Sequence, residues 1–260
     1  MNRGGDLTIV GTGFIAAGHT TLEALAHMRG ASRLFYLVSD PVTVHWLQSL
    51  NDSAESLADA YVPGRARERT YHEMAERILA PVRQGHRVCA AFYGHPGVFV
   101  DPSHEAIRRA RAEGLPARML PGISAEDCLF ADLGLDPGEY GCQSFEATDF
   151  LISRRRFDNR SLLVIWQIGA IGVLTYREGM LWSRRGLAVL TEELRRHYAA
   201  SHEIVLYEAA PFPVCEPRME RIRLNELPGA EVSLATTLVV SPSREARADA
   251  EMLARLGMRA

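Results

Sequence analysis

The chain has 260 residues, of which 47% are hydrophobic and 23% charged, and its formal net charge is −3. This composition is typical of a globular protein, and the lack of a basic excess argues against nucleic acid as a partner. No apolar run reaches the roughly 18 residues of a membrane span, and residues 1–7 show no secretory signal. The cysteines have neither zinc spacing nor a CxxC pair, so we expect reduced thiols, no metal and a cytoplasmic location.

The first half of the chain alternates short apolar runs with segments of helical periodicity. The predicted strands are residues 7–10, 34–38, 87–93 and 117–120. The predicted helices are residues 20–28, 42–50, 70–82, 103–113 and 124–133. Alternation of this kind favours a parallel, wound sheet.

The second half contains more strands and fewer helices. The predicted strands are residues 161–166, 203–207, 219–224 and 233–240, with a long helix over 183–198. This pattern indicates a mixed sheet. We therefore predict an N-terminal α/β domain (1–122), a C-terminal mixed α/β domain (123–242) and a terminal helix (243–260).

Three glycine turns follow three of the predicted strands, at Gly11-Thr12-Gly13, Gly94-His95-Pro96-Gly97 and Pro121-Gly122. Ligand sites of wound sheets lie beyond the carboxyl ends of the strands, so we expect the turns to converge. Gly11-x-Gly13 alone is similar to a dinucleotide fingerprint, with Asp40 as the ribose-binding acid. A dinucleotide site needs one phosphate turn at a helix N-terminus, so three turns favour a largely uncharged ligand.

These turns resemble the motifs of the tetrapyrrole methylase superfamily, although His95 stands where that family usually has Asp. Longer stretches resemble one branch, the borosin α-N-methyltransferases, which methylate backbone amides of a precursor peptide. The matching stretches are residues 92–100, 119–133, 145–150 and 166–169.

The resemblance implies a two-domain tetrapyrrole-methylase-like α/β fold with S-adenosyl-L-methionine (SAM) in the cleft between the domains. It also implies the residues that bind the cofactor. These are His95, Val98, Phe99, Ser124, Ala125, Gln167, Tyr207 and Thr237. For Val98, Phe99, Ala125 and Tyr207 the alternative is ordinary core packing.

Methylation of a backbone amide makes three chemical demands, because the nitrogen lone pair is delocalised into the carbonyl. The nitrogen must lie in line with the methyl group, its proton must pass to a base, and charge on the carbonyl oxygen must be stabilised. Tyr61, Arg67 and Tyr71 line up with the catalytic tyrosine-arginine-tyrosine set of the borosins. Either tyrosine is a candidate base, with Arg67 activating it or holding the oxygen, and Tyr93 is a candidate oxyanion donor.

The resemblance also implies partners. Residues 241–260 are charged and helical rather than similar to a core peptide, so we expect a separate precursor peptide supplied in trans. We further expect a homodimer, or a heterotetramer with the precursor. Two rival hypotheses remain open, a tetrapyrrole (precorrin-like) C-methyltransferase and a non-catalytic peptide-binding module.

Overall fold

The computed structural model describes residues 5–15, 17–173, 184–246 and 248–258. The chain divides into two compact units, each with a five-stranded sheet. Within the described residues, the first unit contains 5–132, 173 and 209–217, and the second contains the remainder. The division falls after Asp132, whereas the domain boundary predicted from the sequence follows residue 122.

The first unit is built on a parallel sheet with the order β3-β2-β4-β1-β5. Its strands are β1 (Asp6–Gly11), β2 (Arg33–Leu37), β3 (Glu55–Ser56), β4 (Arg87–Phe92) and β5 (Ala117–Met119). Its helices are α1 (Leu22–Gly30), α2 (Pro41–Leu50), α3 (Arg67–Arg83), α4 (Asp101–Ala112) and α5 (Ala125–Leu133). The predicted wound parallel sheet is therefore confirmed.

Helices cover both faces of this sheet, which explains why its central strands are buried along nearly their whole length. One core cluster joins the sheet to α3 and α4 through residues such as Ile78 and Ile107. A second cluster joins the sheet to α1 and α2 through residues such as Met28 and Leu47.

Helix α3 begins at Arg67, three residues before the start that the sequence pattern predicts. The helix lacks a side-chain N-cap, because Ala66 occupies that position. The usual sequence signal for a helix start, a Ser, Thr, Asp or Asn cap, is therefore missing. The earlier start places Arg67 and Tyr71 one turn apart on the same helix.

The second unit contains a mixed sheet with the order β6-β7-β10-β8-β9. Its strands are β6 (Cys142–Glu146), β7 (Leu162–Trp166), β8 (Glu203–Glu208), β9 (Arg218–Arg223) and β10 (Thr237–Val240). Its helices are α6 (Pro137–Tyr140), α7 (Ala147–Ile152), α8 (Arg184–Leu194) and α9 (Ala250–Arg255). Strands β6 and β7 are parallel and the other pairs antiparallel, which confirms the predicted mixed sheet.

Three predicted elements in this unit differ from the structure by more than one residue. Strand β10 begins at Thr237 rather than at residue 233, because residues 233–236 form a tight turn. The long helix predicted over 183–198 is α8, which ends at Leu194, and residue 183 lies outside the described residues. The predicted terminal helix covers only Ala250–Arg255, with residues 259–260 again outside the described part.

None of the described helices is long and apolar enough to cross a membrane. Over the same residues, no group of His, Cys, Asp and Glu side chains is arranged to hold a metal ion. All four cysteines are free thiols.

Candidate functional site

The three glycine turns meet at the carboxyl ends of β1, β4 and β5. Gly94 donates its backbone N–H to the carbonyl of Gly13 at 2.9 Å, and Gly13 donates to the carbonyl of Gly94 at 3.2 Å. A Cβ on Gly11 would lie 2.3 Å from the carbonyl oxygen of Gly94, and one on Gly122 would lie 3.3 Å from the Cα of Gly11. Only residues without a side chain allow this approach, so the predicted convergence of the turns is confirmed.

Aromatic and apolar side chains stand exposed beside these turns. Tyr93, Val98 and Phe99 are 52%, 42% and 49% exposed. The core-packing alternative is therefore wrong for Val98 and Phe99. The ring of Tyr93 meets that of Phe14 edge to face at 6.4 Å. Phe14 is absent from the sequence-based set, although its position directly after Gly13 is a signal that it adjoins the site.

Two of the predicted cofactor residues have backbone conformations that side chains disfavour. Phe99 has a φ of 55° and Gln167 a φ of 58°. The left-handed region costs a residue with a Cβ roughly 1–2 kcal/mol. Strain of this kind is often found at ligand sites, where the surrounding structure enforces it.

His95 braces the second glycine turn. Its Nδ1 accepts the backbone N–H of Gly97 at 3.0 Å, two residues further along the chain. An Asp carboxylate can accept the same bond in an Asx turn, so His95 makes a contact here that an Asp at this position could also make. The carbonyl of Gly97 is hydrogen bonded in turn to Nε2 of His104 at 2.8 Å.

Ser124 and Asp127 form a reciprocal cap at the start of α5. The N–H and hydroxyl of Ser124 donate to Oδ2 of Asp127 at 2.6 and 2.7 Å, and the N–H of Asp127 donates back to Oγ at 3.2 Å. The Ser124 hydroxyl is therefore engaged in holding the turn that leads into Ala125. Asp40, the acid that a dinucleotide site would require, instead caps α2 through the N–H of Thr43 at 2.7 Å.

The four predicted catalytic residues belong to the first unit. Tyr61 follows a short 3-10 turn, Arg67 and Tyr71 lie on the first turns of α3, and Tyr93 follows β4. The hydroxyl groups of Tyr61 and Tyr71 are hydrogen bonded to each other, an interaction that acts to raise the pKa of Tyr61 and to lower that of Tyr71. Because Arg67 acts electrostatically on both, the structure brings this trio together.

Burial dominates the acidity of these tyrosines. It raises the pKa of Tyr61 above the ordinary value, and the Tyr71 and Tyr93 hydroxyls add to this while Arg67 opposes it. Burial also raises the pKa of Tyr71, although Arg67 and the hydrogen bond with Tyr61 lower it. The enclosure around its hydroxyl raises the pKa of Tyr93, with a further contribution from Tyr71.

Asp101, the first residue of α4, is a charged neighbour that the sequence reasoning missed. Its carboxylate raises the pKa of Tyr71, after burial and against the effect of Arg67. Asp101 comes directly after the 92–100 stretch. No sequence pattern links it to a tyrosine on another helix, because the two meet only in the folded unit.

The remaining predicted cofactor residues belong to the second unit, where they share one end of the sheet. Tyr207 on β8 pairs directly with Thr237 on β10, and the two are 0% and 2% exposed. Gln167 immediately follows β7, the other neighbour of β10. The burial of Tyr207 agrees equally well with ordinary core packing and with a role in binding the cofactor.

The chain is similar in sequence to a family of known proteins and to individual members of it. The sequence model described as "Tetrapyrrole (Corrin/Porphyrin) Methylases" matches residues 6–227. The chain is 44% identical over 233 residues to a methyltransferase/ribosomally synthesized cyclic peptide gymnopeptides precursor of Gymnopus fusipes, covering 90% of this chain and 55% of that protein.

Two further relatives have names of the same form. The methyltransferase/ribosomally synthesized cyclic peptide omphalotin A precursor of Omphalotus olearius is 39% identical, over 98% of this chain and 62% of that protein. A type I borosin cyclic peptide precursor of Serendipita vermifera subsp. bescii is 39% identical, over 98% of this chain and 63% of its own length. The chain thus spans little more than half of these relatives, whose names join a methyltransferase and a precursor.

A solved structure shares the fold. The uroporphyrin-III-C-methyltransferase from Thermus thermophilus matches with a TM-score of 0.65 and covers 98% of both chains. Its sequence is 20% identical, so this likeness concerns the fold alone.

Proposed function

The chain belongs to the tetrapyrrole (corrin/porphyrin) methylase family, and we propose that it uses SAM to methylate backbone amide nitrogens of a ribosomally made precursor peptide. The names of the curated relatives support a role in peptide maturation. The observation that carries the proposal is the hydrogen-bonded pair of Tyr61 and Tyr71 beside Arg67, in the same unit as the glycine turns.

The described residues fit the cofactor in two respects. Exposed Tyr93, Val98 and Phe99 offer apolar and aromatic surface, and the adjacent turns offer backbone that has no side chain in the way. When bound, SAM supplies an electrophilic methyl group. We assign Val98, Phe99 and Gln167 to its binding first, because exposure or left-handed backbone sets them apart from ordinary packing.

We assign the proton acceptor to Tyr71 rather than Tyr61. Arg67, the largest influence that opposes burial, and the hydrogen bond with Tyr61 both act to lower the pKa of Tyr71. A phenolate at Tyr71 would thus be stabilised by the Tyr61 hydroxyl and by Arg67, whereas the same hydrogen bond acts to raise the pKa of Tyr61. The Tyr71 oxygen would accept the amide N–H proton, while bound SAM would give up its methyl group to the nitrogen and leave as the neutral thioether.

The carbonyl oxygen of the same amide gains negative charge as its N–H proton leaves. Arg67 and the hydroxyl of Tyr93 are the groups that would hold this charge, as a cation and as a hydrogen-bond donor. Arg67 therefore serves both the base and the oxygen. Removal of the Arg67 side chain should therefore lower the rate of methyl transfer more than removal of either tyrosine hydroxyl.

Incubation of the chain with SAM and a peptide that has an apolar C-terminal tail, with mass spectrometry as the readout, tests the proposal. The peptide should gain mass in steps of one methylene, and fragmentation should place each step on a backbone nitrogen. Methylation of a tetrapyrrole in a parallel incubation, with the peptide unchanged, would instead favour the C-methyltransferase, and peptide binding without a mass change would favour the peptide-binding module. The same experiment checks the predicted supply of the peptide in trans.

Arg67→Ala should keep SAM binding and lose methyl transfer by at least about a hundredfold, because a positioned charge acts on the transition state. Arg69→Ala is the matched control, since Arg69 is two residues away on α3 and solvent exposed. Wild-type turnover in Arg67→Ala would contradict the assignment. Equal losses in both variants would point to a general effect on α3.

A further inference from the structure

In the second unit, the carboxylate of Glu208 at the end of β8 holds the turn that precedes β10. Its Oε1 accepts hydrogen bonds from the hydroxyl of Thr236, from the hydroxyl of Ser233 at 3.0 Å and from a guanidinium nitrogen of Arg218 at 3.1 Å. We call these four residues the Glu208 cluster. Bonds from three donors to one charged oxygen are stronger than those between neutral groups.

The hydroxyl of Thr236 links the carboxylate to the backbone of the turn. Thr236 is fully buried, and its Oγ1 accepts the N–H of Ser233 at 2.7 Å while donating to Glu208. The N–H of Thr236 closes the turn onto the carbonyl of Ser233 at 3.2 Å. Because this buried hydroxyl uses both its donor and its acceptor, its hydrogen bonds fix the conformation of the turn.

The same turn packs against the segment that follows β7, backbone against backbone. Ile168 donates its N–H to the carbonyl of Thr236 at 3.2 Å. A Cβ on Gly169 would lie 2.1 Å from the carbonyl oxygen of Ser233. A small movement of residues 233–236 would therefore be transmitted to Gln167, whose backbone is already held in the left-handed region.

Each predicted cofactor-binding residue of the second unit is next in sequence to a residue of the Glu208 cluster or of the segment that packs against it. Tyr207 precedes Glu208, Thr237 follows Thr236, and Gln167 precedes Ile168. We propose that Glu208 is a positioning residue for the cofactor: through Ser233 and Thr236 it fixes the backbone that carries Gln167 and Thr237, and so sets the affinity for SAM. The inference rests on the proposed function.

Glu208→Gln tests the inference, because it keeps the size of the side chain and removes its charge. The KM and Kd for SAM should rise about tenfold, the effect of a site loosened by a fraction of an ångström, while kcat at saturating SAM stays within about twofold. A role in stability alone would lower the melting temperature without this split between KM and kcat.

Glu203→Gln is the matched control. Glu203 lies at the other end of β8 and pairs with Arg221 on β9 at 2.8 Å, as Glu208 pairs with Arg218 on the same two strands. Both members of the control pair are about three-fifths exposed, at 62% and 61%, so the pair should contribute little. SAM binding in Glu203→Gln should match the wild type.

Two variants of Thr236 provide a second readout. Thr236→Val removes the hydroxyl at similar volume and should weaken SAM binding as Glu208→Gln does, whereas Thr236→Ser keeps the hydroxyl and should restore it. Circular dichroism checks that each variant folds. If Thr236→Val does not fold, the SAM affinity of Glu208→Gln alone tests the inference. Equal SAM affinity in Glu208→Gln and the wild type would overturn this inference alone. A wild type that fails to bind SAM would overturn the proposed function and the inference with it.

Discussion

At the scale of single residues, burial and charge act on Tyr71 in opposite directions. The guanidinium of Arg67 and the hydrogen bond with Tyr61 favour the phenolate, but burial outweighs them and the pKa of Tyr71 lies above its ordinary value. The spacing of Arg67 and Tyr71 along the chain predicts the guanidinium that favours the phenolate, but not the larger opposing effect of burial. Desolvation depends on the packing around the ring, which spacing along the chain does not describe.

A pH profile follows from this balance. Because the pKa of Tyr71 is raised above about 10, the phenolate fraction of the free protein should grow about tenfold per pH unit below it. The logarithm of kcat/KM for the peptide should therefore rise with a slope near one between about pH 7 and 9.5, without a plateau. Initial rates at saturating SAM measure this.

The exposed Tyr140 supplies a control for that profile. Tyr140 is 46% exposed and lies on the short helix α6. Tyr140→Phe should leave the profile unchanged, whereas Tyr71→Phe should remove most of the activity at every pH. A plateau at neutral pH in the wild type would contradict Tyr71 as the base.

At the scale of elements, the glycine turns work because their backbones touch. Gly11→Ala would place a Cβ 2.3 Å from the carbonyl oxygen of Gly94 and 2.8 Å from Cδ of Pro96. The two turns would have to separate, so we expect a loss of about 1–3 kcal/mol in the free energy of unfolding, together with weaker SAM binding. Denaturant unfolding and calorimetric titration measure the two effects.

Gly30→Ala is the control for space alone. Gly30 ends α1, and a Cβ there would meet nothing within 4 Å. Its stability should stay within about 1 kcal/mol of the wild type and tend to increase, because alanine has the higher helix propensity. A Gly11→Ala protein as stable as Gly30→Ala would show that the turns separate without cost.

The sequence predicts least well where helices and strands begin and end, and which residues distant in sequence are in contact. The strands β1 and β4 are apolar over most of their length and were predicted, whereas β6, which reads Cys-Gln-Ser-Phe-Glu, was missed because it lacks both an apolar run and clean alternation. The start of α3 was misplaced because Ala66 gives no capping signal. Asp101 and Glu208 were missed because their partners are distant in sequence.

At the scale of the whole molecule, both units contribute residues to the predicted set. Tyr61, Arg67, Tyr71 and Tyr93 belong to the first unit, and Gln167, Tyr207 and Thr237 to the second. Each unit has a sheet and a core of its own, so a variant in one unit need not unfold the other. This separation is what allows Glu208→Gln and Arg67→Ala to report on binding and on methyl transfer independently.

Self-association is the property of the whole molecule that the structure allows to be tested. Helix α9 has six residues, and none of them is buried. Met252 on this helix and Leu256, the residue directly after it, are 46% and 66% exposed. A helix this short is marginal in water by itself, so we expect these two apolar side chains to be covered in a homodimer.

Light scattering should therefore give a mass twice the 28.8 kDa of the chain. The double variant Met252→Asp/Leu256→Asp should shift the equilibrium towards the single chain, because burying two carboxylates in an apolar contact is costly. Val42→Asp, at a position that is 55% exposed on α2, should not shift it. A wild-type mass of one chain would refute the predicted homodimer. A double variant that remains dimeric would instead show that the dimer contact does not depend on α9, since the charges would then stay in solvent.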